Sequence, residues 1–551
     1  MNAARRRSWR SQCARVAAFS GIVGALTAGC GTDSGDAPAS SAPATDANSG
    51  TALRPATARW EMVDMLRESA AQEYHESDGG GRAWLEPIDG EPPLARVGVR
   101  GRFRIVYEAG PLGIVEGGLV FLQVSPFWNW STPQTEEPLA PGYTELRTPA
   151  EGVRLEGRTL DQQLLGVFIR GRALAAGERV EILYGAGPAG VGVDRYAEKN
   201  SRFWIAVDGD GDGVRKVLAD SPGVEVVAST PAQLVVGIPS TARVGDEVRV
   251  TLAVLDAVGN TGVDVTGEIR FDAPEGLELP TSVNLAEDAG GRASVTARVT
   301  GPGIHRLRAT APGGLEAESN PLAVNDGPRI LWADLHGHSA LSDGTGTPSD
   351  YFVYARDVAG LDVVALTDHD HWGMLPLDSH PESFAEITRT TRAFHAPGHF
   401  VTLLGYEWTS WIHGHRHVLV FDDEGTLVSS LDPATETPAQ LWSALEGVRA
   451  LTFAHHSAGG PIATNWEFPP DPHFEPVTEV VSVHGSSEAP DGPRTIYSPV
   501  PGNFVRDVLD RGFVLGFIGS GDSHDGHPGL SRLANPSGGL AAIVSEDLTR
   551  E

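Results

Sequence analysis

Between residues 327 and 551, six apolar runs each end on histidine, aspartate or glutamate, and few folds can gather such ends usefully. Ile330-Leu331-Trp332 leads into Ala333-Asp334-Leu335-His336-Gly337-His338. Residues 362–367 stop at Asp368-His369-Asp370-His371, and residues 401–406 stop at Glu407. Residues 450–454 stop at His455-His456, and residues 477–483 stop at His484. Residues 513–518 run through a glycine-serine turn into Asp522-Ser523-His524. Helix-like segments at 349–359 and 438–447 separate some of these runs. Alternation of this kind predicts parallel strands in a wound sheet or a barrel. In a (β/α) barrel all strand ends open on one face, the face that carries active sites.

The first of these ends is chemically the most pointed. Side chains at i and i+2 of a strand share a side, so His336 and His338 can converge on one ion. The Ser, Asp and Gly that follow, up to Asp343-Gly344, are turn formers and end the strand. Imidazole and carboxylate without thiolate favour Zn, Mn or Fe in a catalytic rather than a structural site. More candidate ligands are present than one ion needs, which predicts two or three ions, bridged by Glu407 or Asp343.

Composition narrows the chemistry further. The only cysteines are Cys13 and Cys30, and the only lysines are Lys199 and Lys216. Neither thiol chemistry nor a Schiff-base lysine is therefore available in the last half of the chain. Sixteen of the 18 histidines lie beyond residue 327, the exceptions being His75 and His305. A formal charge of −30 argues against a nucleic-acid surface, which must be basic.

At 551 residues the chain is expected to form several domains. Residues 1–30 resemble a secretory signal: Arg5, Arg6, Arg7, Arg10 and Arg15 precede a short apolar segment at 16–28. Leu26-Thr27-Ala28-Gly29-Cys30 resembles a bacterial lipobox, which predicts an exported, membrane-anchored lipoprotein that touches the membrane only through its lipid. Residues 31–58, rich in Ser, Ala, Asp, Gly and Pro, are expected to be a flexible linker. Residues 59–220 read as a β-rich domain, and residues 221–326 as an immunoglobulin-like β-sandwich with evenly spaced alternating strands. Within the first, Phe127-Trp128-Asn129-Trp130 is an aromatic loop, read as a packing plug between domains in preference to a ligand platform. Asp208-Gly209-Asp210-Gly211-Asp212-Gly213 imitates the opening of an EF-hand loop, but Ala219 stands where a bidentate glutamate is needed, so it reads as an acidic turn.

Taken together, His336-Gly337-His338 with Asp343, Thr367-Asp368-His369, Gly405-Tyr406-Glu407, Ala454-His455-His456 and Asp522-Ser523-His524 resemble, in order, the motifs of the polymerase and histidinol phosphatase (PHP) superfamily. Residues 405–410 and 484–488 are similar to the subgroup known as domain of unknown function 3604. The resemblance implies that residues 327–551 form a distorted seven-stranded (β/α) barrel holding up to three divalent metal ions. It implies ligands at His336, His338, Asp343, His369, Glu407, Asp522 and His524, with His415 or His417 and His455 or His456 as further alternatives; His455 is favoured by the register of its strand. Family members usually run on past residues 538–544 into a further helix, so a C-terminally truncated domain is the expectation for a chain stopping at Glu551.

The chemistry expected of such a site is hydrolysis by a water deprotonated at the ions, most readily of a phosphoester. Carboxylic or carbamate esters and amides are the alternative substrates, and a non-catalytic surface binding protein is the alternative to an enzyme. His371 and His484 are candidate proton donors. Arg416, with Arg494 and Arg532 as further candidates, could grip an anionic substrate. No G-x-S-x-G elbow occurs in the C-terminal region, which disfavours a serine hydrolase. Neither the substrate, small molecule or polymer, nor the oligomeric state is encoded legibly.

Overall fold

The computed structural model describes residues 56–533 and 536–551. The signal, the lipobox with Cys13 and Cys30, and nearly all of the expected linker lie outside the described residues. The chain is multidomain and mostly β, with few and short helices. Among the described residues no helix is long and apolar enough to cross a membrane.

The first β-rich part folds as two antiparallel sheets over one core. Arg82–Glu86, Phe103–Glu108, Arg179–Tyr184 and Thr144–Arg147 make one; Lys216–Val217, Trp204–Asp208, Leu119–Gln123, Leu164–Arg170 and Arg154–Asp161 make the other. Alternating residues such as Ile105 and Tyr107, Val120 and Leu122, and Ile205 and Val207 fill the space between them, as a period of two requires. Trp130 of the aromatic loop is a core residue here, edge-on to Phe203 at 5.3 Å. The Asp208–Gly213 segment is a turn in which the buried Asp208 carboxylate accepts the Gly211 and Gly213 N–H groups.

The next part repeats the principle. Glu247–Leu255 pairs antiparallel with Gln233–Gly237 and Arg292–Val299, and Val248, Val250, Leu252 and Val254 of that strand face one shared core. A second four-stranded sheet, built on Gly267–Asp272 and Arg308–Ala311, closes the other side.

The histidine-rich part departs from the expected barrel. A six-stranded sheet runs in the order Ala450–Ala454, Gly414–Val420, Val401–Ser410, Val363–Leu366, Ile330–Asp334, Ala541–Val544. A separate three-stranded sheet holds Gly485–Ser486, Val477–Ser482 and Gly516–Gly519. The strands are not all parallel: Ile330–Asp334, Val363–Leu366 and Val401–Ser410 run together, but Gly414–Val420 and Ala541–Val544 run against their neighbours. The reason lies in a tight hairpin at Trp411-Ile412-His413, which returns the chain directly without a crossover helix. Gly414 completes it at φ 81°, where an added Cβ would lie 2.6 Å from Thr464 Cα, so only glycine fits. The expected helices are present but short, Pro348–Tyr354 continued by a wider turn at Ala355–Ala359, and Pro438–Ala444; Thr347 and Thr437 cap them reciprocally with Asp350 and Gln440.

The two sheets meet where the chemistry is. The Asp522 N–H donates to His336 O at 2.8 Å and the His338 N–H to Ser523 O at 2.9 Å, zipping the end of Ile330–Asp334 to the Asp522 loop. Neighbouring domains pack beside this junction. Helix Ala56–Ala70 lays Val63 and Leu66 against Trp372, Trp411 and Ile462, and Arg67 binds Leu431 O and Glu436 at 2.6 Å. Glu198 of the first β-rich part accepts the Gly346 N–H at 2.9 Å.

Candidate metal centre

Three buried carboxylates hold the loops that carry the cluster, and none of them belongs to it. Asp334 accepts the Gly521 and Gly529 N–H groups at 2.7 and 2.8 Å, fixing the loop of Asp522 and His524. Asp368 takes the Ser339 N–H and the Ser339 and Ser342 hydroxyls at 2.6–2.8 Å, fixing the turn that leads to Asp343. Asp370 takes the Thr409 and Ser430 N–H groups at 3.1 and 2.5 Å. Two cluster residues, His456 at φ 34° and Asp522 at φ 53°, sit in the left-handed region that non-glycine residues seldom adopt, as happens where a site over-determines its backbone.

Glu407 is the centre of the arrangement. Its Oε2 lies 3.4 Å from His455 Nε2, 3.5 Å from His338 Nε2 and 3.6 Å from His336 Nε2; its Oε1 lies 2.7 Å from His415 Nδ1 and 3.1 Å from His369 Nδ1. Asp343 faces His369 and His524, each at 3.5 Å, and His338 at 3.9 Å. Asp522 Oδ1 lies 3.0 Å from His336 Nε2, and its Oδ2 3.3 Å from His484 Nε2. The side chains therefore gather into sets able to hold a metal ion. His336, Glu407, His417 and His455 form one, His338, Asp343, His369 and His524 another, and His415, His455 and His456 a third, each with its ligand atoms within 4.8 Å of one another.

The alternatives left open by the sequence thus coexist. His415 and His417 are two apart on Gly414–Val420 and share a face. His455 and His456 both reach the cluster because His456 takes its left-handed backbone, which turns its side chain towards His415 at a ring distance of 5.1 Å.

Donor chemistry fits cations. Burial, reinforced by positive neighbours, holds His338, His417 and His455 well below the ordinary imidazole range, and holds His456 down to about 3. Glu407, Asp343 and Asp522 are resisted by burial, yet the facing histidines hold all three below the usual carboxylate range. Neutral imidazole and ionised carboxylate are the forms that ligate. Both ring nitrogens of His417, Nε2 of His415, Nδ1 of His455 and His456 and Oδ1 of Asp343 are buried without a protein hydrogen-bond partner. Orphaned polar atoms of this kind cost about 1–3 kcal/mol each, and a bound cation would satisfy them. His336 and His369 are the exceptions: burial opposes their charge, but Asp522 and Glu479 raise the first, and Glu407 and Asp343 the second, well above the ordinary range.

Two outer contacts escaped sequence reasoning. Glu479, on Val477–Ser482, accepts a hydrogen bond from His336 Nδ1 at 2.9 Å, and Thr409 Oγ1 lies 2.7 Å from His369 Nδ1. A lone acid inside the run Val477-Thr478-Glu479-Val480-Val481 was the available signal for the first.

A cavity of about 280 Å³ opens on the cluster, lined in part by His338, His369, Glu407, His415, His455 and His484. Among the sequence-predicted catalytic residues only His484 faces it. His371 lies behind the wall, bonded to Asp370 at 2.7 Å and accepting the Trp411 indole N–H at 3.0 Å. Arg416 points to the opposite face of its strand from His415 and His417, where its buried guanidinium pairs with Glu475 at 2.7 Å. The expectation that Arg416 grips a substrate fails on this alternation. Arg494 donates to the Ser482 and Ser537 carbonyls and Arg532 is exposed; neither lines the cavity.

Comparison with known proteins gives one family match. Residues 371–492 match the model of a protein of unknown function, DUF3604. That segment holds Glu407, His415, His417, His455, His456 and His484. No curated protein matches the chain. Among solved structures, the chain is similar to a two-domain protein of Bacteroides vulgatus containing a predicted PHP-like metal-dependent phosphoesterase, at 22% identity and a TM-score of 0.26, over 36% of this chain and 53% of that one. The chain thus spans about half the length of that protein. It is also similar to the Escherichia coli adhesin FdeC, at 16% identity and a TM-score of 0.21, over 49% of this chain and 73% of that one. A third likeness is to the Yersinia pseudotuberculosis adhesin InvE, at 10% identity and a TM-score of 0.15, over 44% of this chain and 58% of that one. Likenesses this distant assign no activity.

Proposed function

We propose that this chain is an exported metal-dependent hydrolase of PHP type, acting on phosphoesters. The observation that carries the proposal is Glu407, whose two carboxylate oxygens face different groups of histidines inside a cavity. In this account residues 327–551 are the hydrolase domain, a PHP-type barrel distorted into two sheets. Residues 59–220 and an immunoglobulin-like module at 221–326 stand between it and a lipid anchor at Cys30.

His336, His417 and His455 with Glu407, and His338, His369 and His524 with Asp343, would hold the ions; His415, His456 and Asp522 complete the shell. Bound divalent ions supply Lewis acidity and lower the pKa of water. The protein's own groups do the rest. Glu479 and Thr409 fix the rings of His336 and His369, so that ligand atoms are oriented before an ion arrives. His484 is opposed by burial, yet the Asp522 carboxylate raises its pKa above the ordinary value, so it keeps a proton at the cavity wall. In the hydrolysis, the oxygen of water bonds to phosphorus and sheds a proton, the bond to the leaving oxygen breaks, His484 protonates that oxygen, and the proton shed by water restores His484.

Hydrolysis of carboxylic esters or amides is a second reading, favoured by one observation. No arginine or lysine is among the described residues lining the cavity, so only bound ions and the His484 imidazolium would answer a highly charged substrate. A panel of phosphodiester, phosphomonoester and carboxylester substrates, with His336→Ala and Asp522→Ala as controls, decides between them. Turnover of carboxylesters alone would overturn the phosphoester assignment.

A further inference from the structure

We propose that Phe127 and Trp128 of the first β-rich part form an aromatic subsite on the metal cavity, which selects a singly charged phosphodiester bearing a flat aromatic group. The subsite rests on the phosphoesterase reading above and adds the substrate class to it.

Three observations converge. Beside the histidines the cavity lining is apolar, made by Phe127, Trp128, Trp372, Pro461, Ile462 and Tyr497, so the space next to the cluster suits a ring better than a second phosphate. The described lining offers no guanidinium or ammonium group to grip a dianionic monoester, whereas a diester presents one negative charge. The aromatic loop is also held as a platform. Trp128 and Asn129 take φ 61° and 92°, in the left-handed region. The conformation is fixed by the Arg195 N–H donating to Trp128 O at 2.8 Å and by the Asn129 side chain donating to Val193 O at 3.2 Å.

Trp128 meets Tyr196 edge-on at 5.2 Å, and Tyr196 meets His527 of the histidine-rich part edge-on at 5.3 Å. The loop is thus braced against the domain it faces. A packing plug between domains would bury all three rings, whereas Trp130, with 2% of its surface exposed, packs within the core of its own β-rich part and Phe127 is only partly buried against Trp372 and Trp411. Phe127 and Trp128 stay partly exposed and line the cavity instead.

The test uses the metal-loaded full chain with phenyl p-nitrophenyl phosphate and methyl p-nitrophenyl phosphate, which share a charge and a leaving group placed at His484 and differ only in the retained group that meets Phe127 and Trp128. The expected result is a KM about tenfold lower for the phenyl ester, the scale of one stacked ring. In Trp128→Ala, and independently in Phe127→Ala, that preference falls by most of this factor. Titration of intrinsic fluorescence with diphenylphosphinate and dimethylphosphinate, which are not hydrolysed, reads the same preference without turnover. Hydrolysis of both esters with equal KM, or faster turnover of p-nitrophenyl phosphate, overturns the subsite alone. No hydrolysis of any ester overturns the phosphoesterase reading, and equal binding of the two phosphinates then removes the subsite as well.

Discussion

Glu479 and His336, 143 residues apart in sequence, share a hydrogen bond of 2.9 Å at the buried heart of the cluster. The carboxylate accepts from Nδ1, which leaves Nε2 turned towards Asp522 and Glu407. Outer partners of this kind typically contribute about 10–100-fold in metal affinity. Glu479→Ala is therefore expected to weaken metal retention by about that factor while the protein stays folded. Competition with a chromogenic chelator measures it, and unchanged affinity would remove Glu479 from the account.

Arg416 and Glu475 form a buried pair on the far side of the strand that carries His415 and His417. Removing one partner strands a charge, at a cost of about 3–5 kcal/mol, whereas replacing both by apolar residues is close to neutral. Arg416→Met is expected to lower the unfolding temperature sharply. The double variant Arg416→Met, Glu475→Leu is expected to recover it and to bind metal as the parent does. Loss of substrate affinity in a fully stable double variant would return Arg416 to the catalytic side.

Asp208 gives a pH dependence remote from the cluster. Burial, with Asp212 and Asp78 adding to it against the loop N–H groups, raises its pKa from 3.8 to about 7. The folded state then holds the proton more tightly than the unfolded state, so this group's contribution is full below about pH 4 and is lost as pH rises through about 7. Asp208→Asn removes the titration. Denaturant unfolding from pH 4 to 8 should show the parent losing stability relative to the variant as pH rises; parallel curves would contradict the shift.

Much of the site was legible because strand ends are local. Apolar runs stopping on His336, His369, Glu407, His455 and Asp522 marked one face without knowledge of the neighbours. Strand direction was not, because the reversal at Gly414 depends on a close approach to Thr464 that no sequence spacing reveals. Glu479 was missed for the same reason: its partner is fixed only by the junction of two sheets. Asp368 and Asp370, adjacent to a ligand candidate, face away from the cluster because alternation along the backbone turns His369 inward between them. The aromatic loop was read as one unit, but its rings divide: Trp130 packs in the core of its own β-rich part, Phe127 partly against Trp372 and Trp411, and both Phe127 and Trp128 face the cavity.

The central claim is that Glu407 organises a multinuclear metal centre, and metal content tests it most directly. Two ligand sets, His336 with Glu407, His417 and His455, and His338 with Asp343, His369 and His524, share no residue. Elemental analysis of the purified full chain after equilibration with Zn or Mn is expected to find at least two ions per chain. Glu407→Ala is expected to lose at least the ion of its own set while remaining folded by circular dichroism. A folded parent chain that binds no divalent ion, or a Glu407→Ala variant that binds as many, would contradict the account.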